Sequence, residues 1–224
     1  MSTEYRILYF PIRGVAEVIR LFLEEKGQPY VSETVEYSDT SSKGWAAVKP
    51  TIHPLQQVPV FWDGDFKLLQ SNAILRYLAR KHDAYGRDNR EAARADLIAD
   101  ATNDWRHRFV ALSFNIDFET LKVAYIKDTI PFYLGAFEHF LEENGNTGYF
   151  AGSELSFADV CVFDITDNNL LLSPNALTKE KYPKLHKFYH DFKSRPRIAD
   201  YLESDRRPKY IFVDFAQFQG YQRD

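Results

Sequence analysis

The chain has 224 residues, room for one large domain or two small ones packed together, and its 45% hydrophobic and 27% charged content is that of a globular protein, not a disordered one. A net charge of -4 with no block of clustered Lys and Arg excludes a nucleic-acid surface, and no apolar run approaches the roughly 18 residues of a membrane-spanning helix. The single cysteine, Cys161, excludes an intrachain disulfide and a cysteine metal cluster; with no charged-then-apolar leader at the start, a reducing, cytoplasmic setting is expected.

Residues 6–10 read as a short strand and Pro11-Ile12-Arg13-Gly14 as a loop. Over 15–26 the apolar positions Val15, Val18, Ile19, Phe22 and Leu23 share one helix face, and Gly27 closes that helix. A second strand over 30–35 makes the helix the crossover of a parallel β-α-β unit. After an irregular segment, strands over 58–62 and 66–69 are joined by Asp63-Gly64-Asp65, a hairpin signal, and Ser71 opens a helix carrying Ile74, Leu75 and Leu78 on one side. Tyr85-Gly86-Arg87-Asp88 reads as a linker. Beyond it the strand signals largely vanish and helical patterning covers 91–118, 121–143, 156–172 and 182–192, with a short piece after Pro196. The expected class is therefore α/β plus all-α: an N-terminal thioredoxin-like β-α-β-β-α domain over 1–83 packed on a C-terminal helical bundle over 91–224. The tail from residue 204 carries Tyr210, Phe212, Phe215, Phe218 and Tyr221. These rings either cover a groove or simply dock the terminus, and docking is the plainer expectation.

Tyr9 stands at the carboxyl end of the first strand, where open α/β sheets bind ligands, although tyrosine is also an ordinary strand residue. Gln57-Val58-Pro59 enters a strand; on the residues alone Pro59 is a strand-start proline, and a cis bond there would turn the Val58 backbone toward an extended peptide. Ser71, after Gln70, is placed as a helix N-cap, and the same helix start attracts a carboxylate. Ser156-Phe157-Ala158-Asp159 has capping-box spacing, with Leu155 and Val160 as its apolar staple and a structural value of roughly 1 kcal/mol. Glu17 and Arg20 read as a surface or half-buried ion pair, Cys161 as a buried filler, and His186 with His190 lacks the acidic partner of a zinc motif, so no metal is expected.

Taken in order, Tyr9-Phe10-Pro11-Ile12-Arg13-Gly14, Gln57-Val58-Pro59, Gln70-Ser71-Asn72-Ala73-Ile74 and Ser156-Phe157-Ala158-Asp159 resemble the cytosolic glutathione transferases, tyrosine type, of the pi and sigma classes. The resemblance covers essentially the whole chain. It implies that Tyr9 hydrogen-bonds the glutathione sulfur and is the catalytic residue. It implies that Trp45 and Lys49 hold the glycyl carboxylate, that Val58, through a cis Pro59, meets the cysteinyl backbone beside Gln57, and that Gln70 and Ser71 take the γ-glutamyl end. Asp104 would reach the ligand of the neighbouring subunit in a homodimer, and Phe10, Ile12 and Phe114 would line an apolar pocket for a small hydrophobic electrophile, with no decisive polar group. Glutathione is then a co-substrate and no cofactor is expected. Two departures stand out: Val15 replaces the arginine many relatives carry beside the thiol, and Leu55 replaces an aromatic dimer key. The activity implied is glutathione conjugation; a ligand-carrying protein of the same fold and a specialised glutathione-dependent isomerase or peroxidase are the alternatives.

Overall fold

The computed structural model describes residues 5–220, so Tyr221 lies outside the described residues. Strand β1 (Tyr5–Tyr9) pairs in parallel with β2 (Tyr30–Thr34) and antiparallel with β3 (Val60–Asp63), which pairs antiparallel with β4 (Phe66–Leu69). The sheet order is β2-β1-β3-β4. Helix α1 (Glu17–Glu25) is the β1-to-β2 crossover, and α3 (Ser71–Lys81) follows β4. Ile7, Phe22, Phe61, Leu75 and Leu78 from these elements are sealed in one cluster, which is the core the 3.6- and 2-residue periods pointed to.

Three boundaries differ from the sequence expectation. The first helix opens as a single 3₁₀ turn over Gly14–Ala16 before becoming α-helical. The segment read as irregular contains a helix, α2 (Trp45–Ile52), whose short amphipathic run is interrupted by Pro50 and so gives a weak periodic signal. The third strand begins at Val60, because Pro59 has no N–H for the ladder; the Val58–Pro59 bond is cis rather than an ordinary strand start.

The second half is built from helices and, among the described residues, has no strand. Asp88 caps α4 (Asn89–Ser113), accepting from the N–H groups of Arg90 and Glu91. The helix expected to run to residue 118 stops at Ser113, where the Asn115 side chain accepts from the Asp117 N–H at 2.9 Å and turns the chain. Helix α5 (Phe118–Ala124) runs through a π-type turn over Tyr125–Thr129 into α6 (Ile130–Glu143); Pro131 there lacks the N–H that an unbroken α ladder needs. Helices α7 (Phe157–Leu172), α8 (Pro183–Lys193) and α9 (Pro196–Glu203) complete the bundle.

Helix α7 is buried on all sides from Phe157 to Asn169 and is the axis on which α1, α3, α4 and α8 pack. Its start is the expected capping box, but with more depth than the spacing conveys. The wholly buried Asp159 carboxylate accepts from the Ser156 N–H (2.7 Å), the Ser156 hydroxyl (2.7 Å) and the Phe150 N–H (3.0 Å). Burial still pushes its pKa up to about 6, against those donors.

Glu17 and Arg20 are not a surface pair. Both are sealed, bonded to each other at 3.1 Å, and joined to the second domain: Arg207 bonds Glu17 at 2.9 Å and the α7 residue Asp167 at 2.7 Å, while the Tyr201 hydroxyl bonds Glu17 at 3.1 Å. The charges are legible in sequence; their burial comes from the docking of α7 and α9 over α1.

Candidate active site

The site forms where β1 ends against the helical domain. Tyr9 is nearly buried, and its hydroxyl accepts the Val15 N–H at 3.3 Å. Gly14 makes this approach feasible: its φ is +46°, and a Cβ there would stand 2.5 Å from the hydroxyl oxygen. The hydroxyl finds no acceptor among the described residues, so its proton remains available to a ligand. Burial raises the Tyr9 pKa above its usual 10.0, opposed by the Val15 N–H and by the cations Arg20 and Arg106. The phenol therefore stays an O–H donor at neutral pH. The loop is braced from beneath, since Arg20 donates to the Ile12 carbonyl at 3.2 Å and carries its guanidinium 5.9 Å from the Tyr9 ring.

Beside Tyr9 runs a polar strip. Phe10 meets the Trp45 ring edge-on at 5.3 Å, and the exposed Lys49 ammonium lies 5.9 Å from that ring with no ion pair among the described residues. Val58, half-buried, packs against the cluster of Tyr9, Ile12 and Ala16 and against that of Ile52, Val60 and Leu69, which Trp45 also borders. The exposed Gln57 accepts from the Gln70 amide at 2.8 Å. Gln70 sits at φ 70°, a left-handed conformation unusual outside glycine, and conformations of that kind collect at ligand sites. It is Gln70, not Ser71, that occupies the N-cap position, with no side-chain capping bond; Ser71 is the first residue of α3. The first-turn N–H groups of α3 therefore have no side-chain cap. Asp104 is exposed on α4 and makes no hydrogen bond or ion pair with the described residues. The structure thus gathers Tyr9, Trp45, Lys49, Gln57, Val58, Pro59, Gln70 and Ser71 on the N-terminal domain and leaves Asp104 apart from them on the other.

On the opposite side of Tyr9 is a cavity of about 290 Å³, walled by Phe10, Ile12, Phe114, Val110 and the tail residues Phe212 and Phe215. The three pocket residues named from the sequence share this wall. The tail does more than dock a terminus: Phe215 meets Tyr37 at 5.2 Å across the mouth, and Phe218 stacks on Phe118 at 5.9 Å. Its backbone is tied to the Tyr9 loop, with the Arg13 N–H on the Tyr210 carbonyl (2.8 Å) and the Gly14 N–H on that of Ile211 (3.0 Å).

Sequence reasoning missed Tyr37 and Arg106 in this wall. Arg106 is a buried cation in a cavity expected to be apolar, paired with Asp164 of α7 at 2.6 Å. A signal for it existed, because Arg106 and Val110 on α4 and Phe114 at its C-cap are spaced four apart and share one stripe. Elsewhere, Cys161 is buried as expected, with burial pushing its thiol up to about 12. The described residues contain no cluster of acidic, His or Cys side chains able to hold a metal.

A four-stranded thioredoxin-like sheet domain with a strand-end tyrosine, backed by an all-helical domain that completes an apolar cavity, defines the two-domain glutathione-transferase fold class. Comparison with known proteins then places the chain. The family model described as "Glutathione S-transferase, N-terminal domain" matches residues 6–80, and that described as "Glutathione S-transferase, C-terminal domain" matches residues 103–205. Glutathione S-transferase P 1 of Bufo bufo is 38% identical over 207 residues, 92% of this chain and 95% of the relative. Glutathione S-transferase Mu 3 of Homo sapiens is 36% identical over 202 residues, 88% and 87% of the two chains. The solved pi-class glutathione S-transferase of Onchocerca volvulus superposes with a TM-score of 0.85 at 30% identity, covering 97% of this chain and all of that one. The chain belongs to the glutathione S-transferase family.

Proposed function

We propose that the protein binds glutathione along the polar strip, ionises its thiol against Tyr9, and transfers the thiolate to a small hydrophobic electrophile in the adjoining cavity. The observation that carries this is the Tyr9 hydroxyl, whose proton is unclaimed at the boundary between strip and cavity. A free thiol with pKa near 8.5 is only a few per cent ionised at pH 7. Lowering it by about two units takes about 2.7 kcal/mol of preferential stabilisation, and one hydrogen bond to a charged acceptor supplies about 1.5–3 kcal/mol.

Within this reading Lys49 and Trp45 take the glycyl carboxylate, Val58 the cysteinyl backbone, and Gln57, Gln70, Ser71 and the uncapped start of α3 the γ-glutamyl end. Glutathione is a co-substrate, with no separate cofactor. A homodimer is supported by exposed apolar side chains on both domains, among them Leu55, Phe66, Leu97 and Phe132, and by Asp104 standing free for a partner's ligand. Among the described residues no helix is long and apolar enough to cross a membrane, which fits the cytoplasmic setting read from the sequence. Val15, apolar where a cation supports the thiol in many relatives, favours a second reading as a hydrophobic-ligand carrier with little turnover.

Retention on immobilised glutathione, followed by conjugation assays across aryl halides, enals, hydroperoxides and isothiocyanates, separates the two. Transferase function requires both retention and product. Retention with no product in any assay leaves the carrier, and failure to bind glutathione by calorimetry removes the transferase.

A further inference from the structure

Arg106 is charged, almost wholly buried, and part of the wall of a cavity otherwise built from rings, aliphatic side chains and the Tyr9 hydroxyl. A cation is expensive to hold in such surroundings without a partner. Here the partner is incomplete. Asp164 engages Nη2 at 2.6 Å and is itself shared with the Asn168 amide at 3.2 Å, while Arg106 Nε and Nη1 bond no described residue. The Arg106 side chain is not fully sealed, and the space it borders is the cavity. The same guanidinium acts electrostatically on the Tyr9 hydroxyl, more weakly than burial, the Val15 N–H or Arg20.

Resting on the transferase reading above, we infer that Arg106 is a catalytic residue for one substrate class: electrophiles whose reacting double bond is conjugated to a carbonyl, such as 2-alkenals. In that reaction the thiolate lone pair forms the carbon–sulfur bond at the β-carbon. The carbon–carbon π pair shifts toward the carbonyl, whose own π pair moves onto oxygen as an enolate. The α-carbon then takes a proton from water, matching the proton the thiol released, and the carbonyl is restored. No group leaves. Negative charge arises on one oxygen only as the sulfur bond forms, and the unfilled Arg106 donors meet it in a water-poor cavity where such bonds act strongly.

The alternative ligand for a buried arginine, a substrate carboxylate, fits less well. It would bring a permanent second anion beside the buried Asp164 and shed its full hydration before any chemistry. A carbonyl enters neutral and acquires its charge only in the transition state, which is the differential binding that raises turnover.

The test is kcat and KM for a medium-chain 2-alkenal and for an alkyl iodide, which develops no oxyanion, in the wild-type chain, Arg106→Met and Arg106→Lys. Arg106→Met is expected to lower kcat for the enal about 10–100-fold. The enal KM and the glutathione KM should stay within about twofold, the iodide rate should fall several-fold less than the enal rate, and Arg106→Lys should recover part of the enal loss. Because Arg106→Met leaves Asp164 unpaired, the neutral double variant Arg106→Met/Asp164→Asn is measured in parallel, and the same enal-specific loss is expected of it. Equal loss on both substrates in the double variant, or no loss on either, overturns the assignment. Failure of the transferase reading looks different: the wild-type chain would then turn over neither substrate with glutathione.

Discussion

Replacing Tyr9 by Phe removes one oxygen and keeps the ring that packs with Phe10, Ile12 and Ala16, so the fold should survive. The hydroxyl accepts only the Val15 N–H and has its proton to give, so the loss at the sulfur is one charge-assisted hydrogen bond, about 1.5–3 kcal/mol. That energy corresponds to roughly 1–2 pKa units on the bound thiol. If the wild-type thiol titrates near pH 6.5 and the variant near 8.5, the thiolate population at pH 6.5 falls about fiftyfold. A more basic thiolate is also the better nucleophile, which returns a factor of about 6–10 and leaves a net loss of roughly five- to eightfold. By pH 9.5 both thiols are ionised and the deficit should vanish or reverse. Tyr9 itself does not interfere over this range, because burial holds its own pKa above 10.0. The assay is conjugation rate against pH together with the ultraviolet thiolate band of enzyme-bound glutathione. A loss that is the same at every pH, or a thiolate titration that does not move, would refute the hydrogen-bond account of activation.

Gly14→Ala should lower turnover more than tenfold while leaving the glutathione strip intact, since the added methyl meets the Tyr9 hydroxyl at 2.5 Å in a left-handed backbone; steady-state kinetics beside calorimetric glutathione affinity check this. Lys49→Ala should raise the glutathione KM several-fold with kcat nearly unchanged, because a contact equal in ground and transition states contributes only to binding. Asp159→Ala should destabilise by about 3 kcal/mol in urea unfolding, more than an ordinary cap, because it strands the buried N–H groups of Phe150 and Ser156 together. Arg207→Ala should cost about 3–5 kcal/mol by the same measurement, leaving Glu17 and Asp167 sealed with too little positive charge. Cys161, buried and with its thiol pushed up to about 12, should react with thiol reagents only after denaturation; rapid labelling of the folded chain would contradict its place in α7.

The sequence by itself determined the order of elements apart from α2. Alternation and 3.6-residue periods are local signals, so β1, α1, the β3–β4 hairpin and α7 follow from neighbours along the chain, and the Tyr9, Gln57 and Gln70 segments follow from short motifs beside them. Features that depend on distant partners were decided only by the fold. Glu17 and Arg20 have the spacing of a surface pair, and only the closure of α7 and α9 over α1 turns them into a sealed ionic bridge between domains. The N-cap of α3 passed from Ser71 to Gln70 because the Gln70 side chain is bonded across to Gln57 and its backbone is turned left-handed, which no propensity anticipates. Arg106 reads as one more charge on a long helix, yet the tail folding back onto the Tyr9 loop places it inside the wall of a cavity. Burial is a property of what packs against a residue, and for these residues the packing partners lie tens to hundreds of positions away in the chain.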